Sequence, residues 1–151
     1  MPDLLLQGCS KRKRDITGTC PAIELYDGYF FRILGKAASE NVLRDDIDVR
    51  ILSAKYGLIT PSRQIASYDQ QMTLQRASEL RESVIQTIKK EVSEGPYERI
   101  WVNLGNKYQQ AIEGLDSEIN ADVQHLNGRL GVRGSCFKSL IRSDQPTMDR
   151  R

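Results

Sequence analysis

Four short apolar runs dominate the patterning of this chain, and each stops at a small or amide residue with a cation close behind it. Leu4 to Leu6 runs into Gly8-Cys9-Ser10-Lys11, and Val49 to Leu52 into Ser53-Ala54-Lys55-Tyr56-Gly57. Ile100 to Leu104 runs into Gly105-Asn106-Lys107-Tyr108, and Val123 to Leu126 into Asn127-Gly128-Arg129. Continuous apolar runs of this length suit strands buried on both faces, as in parallel sheets covered by helices. If the four are neighbours, their carboxyl ends converge on one rim, which is where open α/β sheets hold ligands. Lys11, Lys55, Lys107 and Arg129 are then expected around a common hollow. Such a hollow suits an anion or an electron-rich heterocycle, for instance a phosphorylated base.

The segments between the runs supply the helices. After the loop signal Thr17-Gly18-Thr19, Pro21 suits a first helical turn, and Ile23, Tyr26, Phe30, Ile33, Leu34 and Ala37 recur at helical spacing. A helix is expected over 21–39. A second strand is expected over 49–53, with 54–59 leaving it and Pro61 barring a simple continuation. Residues 60–72 show no clear period, and a loop of that length inside a compact domain is more often functional than idle. Leu74, Ala77, Leu80, Val84, Ile85, Ile88 and Val92 form an amphipathic stripe over 74–92, closed by Ser93, Gly95 and Pro96. A third strand over 99–104 turns through Gly105-Asn106 into a helix carrying Tyr108, Ala111, Ile112 and Leu115. A weaker fourth strand is expected over 121–126 and a last helix over 129–141, followed by a polar, frayed tail over 142–151. The pattern predicts α/β class: one domain over 1–151, three layers, with a mostly parallel central sheet of about four strands.

A chain of 151 residues buries roughly 68–70% of its unfolded surface, so a core forms without staples. The net charge of +2 excludes a global polycation, so any nucleic acid has to be met by a local patch, and Lys11-Arg12-Lys13-Arg14 provides one. The three cysteines are odd in number and form no Cys-x-x-Cys pair, which argues against a disulfide framework or zinc ribbon and for a reducing cytoplasm. No leading apolar stretch approaches the ~20 residues that span a bilayer, so no membrane contact is expected. His125 is the single histidine. No metal and no cofactor are expected, and the sequence leaves the oligomeric state open.

Candidate site residues follow from the strand exits. Gly8 allows close backbone approach to a ligand, Ser10 can donate and Lys11 supplies charge. Cys9 is either an inert packed thiol or a reacting group. Arg12, Lys13 and Arg14 form either a solvated loop or a landing strip for phosphates. At the second exit Tyr56 is placed to stack on a base beside Gly57, with Lys55 meeting phosphate or a leaving-group oxygen, against the alternative of a buried tyrosine and a snorkelling lysine. Asn106, next to Gly105, either reads a base edge or caps a helix. Arg129 is a further phosphate contact. In the irregular segment Tyr68-Asp69-Gln70, Asp69 is the carboxylate best placed to position water or stabilise a sugar cation, with Asp15 and Asp27 as rivals.

Gly8-Cys9-Ser10-Lys11, Glu24-Leu25-Tyr26, the stretch from Leu52 to Ile59 and Tyr68-Asp69 together resemble the YaaA-like domains related to peroxide-stress proteins. More distantly the chain is similar to the core domain of archaeosine synthase, whose fold resembles uracil-DNA glycosylases. In that motif a proline stands where this chain has Gly8, and the lysine comes later. The resemblance implies a uracil-DNA-glycosylase-like architecture and a role near DNA or modified bases. The function expected is that of an enzyme acting on a base in DNA or a nucleotide, of N-glycosidase or base-modifying type, as in DNA repair. The alternatives are a non-catalytic DNA-binding stress-protection protein and an enzyme of free nucleotides or nucleosides.

Overall fold

The computed structural model describes residues 2–143, so the tail expected to fray falls, from 144 onward, outside the described residues. The chain runs through β1 (Asp3–Gly8), β2 (Thr19–Pro21), α1 (Ala22–Leu25), α2 (Tyr29–Ser39) and β3 (Ile47–Ser53). It continues through β4 (Gly57–Ile59), β5 (Gln64–Ala66), α3 (Leu74–Glu94) and β6 (Arg99–Asn103). The last elements are α4 (Asn106–Gln109), a 3-10 turn (Gln110–Ile112), α5 (Leu115–Glu118), β7 (Asp122–His125) and α6 (Leu130–Ile141).

The central sheet has the order β4-β3-β1-β6-β7. Its four longer strands are mutually parallel, and they are the four apolar runs of the sequence. All six residues of β1 are buried, as a strand covered on both faces requires. Leu4 and Leu6 pack with Ala77, Val84 and Ile88 of α3, whereas Leu5 packs with Leu34 of α2 and Phe137 of α6. The sheet is thus the middle of three layers. Because β1 is central, the chain leaves it for β3 on one side and later passes it to reach β6 on the other. That reversal opens a crevice beyond the carboxyl ends of the strands.

The sheet has five strands rather than about four. The fifth, β4, pairs antiparallel with β3 through Ile51–Ile59, Leu52–Leu58 and Ser53–Gly57. Three residues are too few to show a period. The hairpin depends on Gly57, whose φ of +79° is open to glycine and strained for other residues. Two further three-residue strands, β2 and β5, pair with each other, so the segment 60–72 is partly ordered as strand.

The helix expected over 21–39 is two helices broken at Tyr26-Asp27-Gly28. The basic loop causes the break: Lys13 and Tyr26 form an antiparallel bridge, Arg14 N donates to Leu25 O (2.8 Å) and Asp27 N to Arg12 O (2.9 Å). The helix expected after Asn106 is also divided, at Gly114 with φ +84°. By contrast α3 is one continuous helix, and Thr73 caps it by accepting from Arg76 N at 3.0 Å. No helix among the described residues is long and apolar enough to cross a membrane.

Candidate functional site

The carboxyl end of β1 is shaped by close approaches that glycines permit. A Cβ on Gly8 would meet the Tyr108 ring at 3.3 Å, so α4 lays its tyrosine directly over the strand exit. The Tyr108 hydroxyl donates to Cys9 O at 3.2 Å and lies 3.2 Å from Cys9 Sγ. Ser10 folds the next turn by donating to Arg12 O at 2.6 Å. Lys13 then returns, its Nζ 4.4 Å from the centre of the Tyr68 ring, a cation–π distance. Between these groups and the segment 70–72 lies a cavity of about 190 Å3, lined among others by Cys9, Ser10, Lys11, Lys13, Asp69 and Tyr108.

Gly28 closes the same loop from behind. A Cβ there would fall 2.6 Å from Ser10 Cβ, too close for either atom to remain in place. The Gly28 backbone (φ −81°, ψ 179°) is open to any residue, so only the contact is at stake. Gly28→Ala is therefore expected to cost about 1–3 kcal/mol by overpacking and to displace Ser10 from the cavity wall. Urea unfolding reads the cost, and an unchanged midpoint would show that the loop does not rest on α2.

A chain of hydroxyls forms the next wall. Ser53 Oγ accepts from Lys55 N (3.2 Å) and Tyr56 N (3.0 Å), which occupies both of its lone pairs. Its own proton is therefore donated to the Tyr68 oxygen at 2.8 Å, and Tyr68 in turn donates to Tyr26 at 2.6 Å. Burial pushes the Tyr26 phenol up to about 12, with the Ser53 and Tyr68 hydrogen bonds opposing the rise. Burial also raises Tyr68 and Tyr108, and the neighbouring Cys9 raises both further. All three phenols are thus protonated at neutral pH. Arg76 of α3 secures the outside of the β3–β4 turn, donating to Ala54 O (2.6 Å) and Lys55 O (2.9 Å).

The structure gathers some of the residues expected from sequence and disperses others. Cys9, Ser10, Lys11, Lys13 and Asp69 share the cavity, Gly8 lies under its Tyr108 wall, and Tyr68 stands behind Lys13. Tyr56 meets the edge of Tyr68 at 5.6 Å between ring centres, and Gly57 ends its turn. Exposed Lys55 lies over the Tyr56 ring, 5.3 Å from its centre, and is not among the residues lining the cavity. Gly105 and Asn106 begin α4, where Asn106 lines a separate pocket of about 420 Å3 with His125. Arg129 is exposed ahead of α6. Arg12 pairs with Asp27 (3.4 Å), and Arg14 lines a wide groove of about 900 Å3 between α2 and β3. The common hollow expected around Lys11, Lys55, Lys107 and Arg129 does not form, since of these only Lys11 lines the cavity. Lys55 lies in the β3–β4 turn and Lys107 in α4, both exposed.

Asp27, a rival carboxylate, is held low chiefly by its hydrogen bond from Arg32 and also pairs with Arg12, so it is engaged in structure. Exposed Asp15 does not line the cavity. Asp69 is left facing it. Some contributions had no local signal: Tyr26 read as part of a helical stripe, Ser53 as a strand exit with no sign of its hydroxyl contacts, and Arg63 sits in a turn. Arg63, just ahead of β5, lies 5.1 Å from the centre of the Tyr56 ring. Among the described residues no group of three His, Cys, Asp or Glu side chains is placed to hold a metal ion.

A family model described as a family of unknown function, DUF6884, matches residues 4–136. Among curated proteins none matches the sequence. Among solved structures, the chain is similar to AF0587, a protein of unknown function, with a TM-score of 0.58 and 15% identity over 95% of this chain. It spans 45% of that chain's length. At that identity the likeness speaks to the fold.

Proposed function

The chain belongs to the DUF6884 family, whose function is unknown, and for it we propose the hydrolysis of an N-glycosidic bond to a base of DNA or of a nucleotide. The observation that carries the reading is the cavity of about 190 Å3, in which two lysines, one carboxylate and several neutral donors meet at the carboxyl end of the central strand. It is smaller than the roughly 300 Å3 that encloses a drug-sized ligand, so it takes a single ring and leaves sugar and phosphate outside. The resemblance to YaaA-like domains, and more distantly to the archaeosine synthase core with its glycosylase-like fold, supports the same reading.

Gln70 and Gln71, which carry both donors and acceptors, read the edge of the ring. Tyr108 and the Cys9 thiol form its polar wall. The bond between the anomeric carbon and the base nitrogen breaks, and its electron pair leaves with the base. Lys11 and Lys13 stabilise that departing charge, and the base then takes a proton from solvent. A water oxygen adds to the anomeric carbon while Asp69 accepts its proton, the general-base step.

The test offers the full chain DNA strands carrying a broad panel of modified bases and measures released base and alkali-labile sites. Release is expected from at least one substrate, and Asp69→Asn should lower it roughly 10²–10⁴-fold. If no base is released from any strand or nucleoside, the reaction is wrong. One observation favours a second reading, a non-catalytic nucleic-acid-binding module. Lys11, Arg14, Lys55 and Arg63 are exposed, and none pairs with a carboxylate among the described residues. That module would bind strands and yield no product.

A further inference from the structure

We propose that Lys55 and Arg63, held on the ring of Tyr56, form a backbone track that receives the phosphates flanking the base in the cavity, so that the substrate is a single polynucleotide strand rather than a free nucleotide. This rests on the reading of the cavity as a base site and names the substrate class for it. The cavity admits one ring, so a bound strand has to leave it over a neighbouring surface.

One such surface is continuous with the cavity wall. Lys13 lines the cavity and sits on Tyr68, Tyr68 meets Tyr56 at 5.6 Å, and Tyr56 carries Lys55 Nζ at 5.3 Å and the Arg63 guanidinium at 5.1 Å. Two cations over one ring lie within about one Debye length of each other, roughly 10 Å at 0.1 M salt. Their mutual repulsion is offset in part by the ring and is reduced further by an anion bound near both. No carboxylate among the described residues takes that place.

Both cations spring from anchored backbone. The turn bearing Lys55 is fastened from inside by Ser53 and from outside by Arg76. Arg63 N donates to Thr60 O at 3.2 Å, and Arg63 O accepts from Ala22 N at 2.8 Å. Charges on fixed turns lose less freedom on binding than charges on a free loop, as preorganisation requires. Tyr56 on this account holds the cations in place and does not stack on a base.

The experiment follows the binding of a short fluorescein-labelled oligothymidine strand to the full chain by anisotropy, at salt between about 50 and 200 mM. The double variant Lys55→Gln, Arg63→Gln alters exposed side chains only, and its urea midpoint serves as the control for folding. For single strands the slope of log K against log salt changes by about 0.7 for each phosphate contact, so the variant should lose about 1.4 from the slope. An unchanged slope overturns the track. So does wild-type protein that fails to bind the strand, even if it releases base from free nucleosides, which would leave the proposed reaction standing. A polyglutamate peptide that competes as well as the strand at equal charge also overturns it. The expected loss of slope, found in a protein that releases no base, upholds the track and removes the reaction.

Discussion

Asn103→Ala is expected to remove roughly 2–5 kcal/mol of stability, because one side chain satisfies two buried polar groups at once. Asn103 is 1% exposed and Gln7 4%. The Asn103 amide donates to Gln7 Oε1 at 2.7 Å, and its oxygen accepts from Arg133 Nη2 at 2.6 Å. Alanine leaves Gln7 Oε1 without its donor and Arg133 Nη2 without its acceptor, while Gln7 Nε2 keeps its bond to Gly8 O (3.0 Å); each lost partner costs about 1–3 kcal/mol and the charged one more. Arg133 has little in reserve: its Nε is already buried without a partner, and its other close contact is the Phe30 ring at 5.3 Å. Asn103→Asp separates the lost hydrogen bond from lost shape. It retains an acceptor for Arg133 and adds opposite charge, while Gln7 Oε1 loses its donor because its amide nitrogen is held by Gly8 O, so only the Arg133 share of the stability should return. Urea unfolding of both variants checks the account. Equal losses would mean that the relay from β1 through β6 to α6 does not carry the stability assigned to it.

The second large effect appears in alkali. The Tyr26 phenol is 2% exposed, and burial raises it from the ordinary 10 to about 12. Between those values the unfolded chain has released the proton and the folded chain retains it, so the folded state binds more protons and stability falls as pH rises. The contribution is complete below pH 10 and is lost as pH climbs through about 12, at about 1.4 kcal/mol per pH unit for this one group. Tyr68 and Tyr108 are shifted in the same direction by burial and by Cys9, which steepens the fall. Urea midpoints measured from neutral pH to pH 12 should therefore drop sharply beyond pH 10, together with the appearance of tyrosinate absorbance. Tyr26→Phe lowers stability at neutral pH, because Tyr68 loses its acceptor, yet it should flatten the alkaline limb. An identical limb in that variant would contradict the burial of this phenol.

Legibility in the sequence tracked the length of each element. The stripe from Leu74 to Val92 predicted a helix that the structure extends by two residues to Glu94, because seven apolar positions at one period leave little choice. The strand exits at Gly8, Ser53 and Asn103 were legible for a similar reason, each being a buried run that stops. The break at Tyr26-Asp27-Gly28 was not. Its helical spacing persists through the break, and only the bridge from Lys13 overrides it. At the site, the run Lys11-Arg12-Lys13-Arg14 was visible as charge. Nothing local told Lys11 and Lys13, which line the cavity, from Arg12, which pairs with Asp27.

From its own pattern the sequence determined an α/β layering, the parallel neighbours of the central sheet, and a cation-bearing rim at their carboxyl ends. Those features depend on burial and on period, which neighbouring residues set among themselves. Only the tertiary structure decided which rim residues share a cavity, that Ser53, Tyr68 and Tyr26 form one chain of hydroxyls, and that Arg63 joins Lys55 on Tyr56. These contacts join separate turns and elements through single side chains. A hydrogen bond or ring contact of this kind leaves no period behind, because its existence depends on where two independently folded turns come to rest.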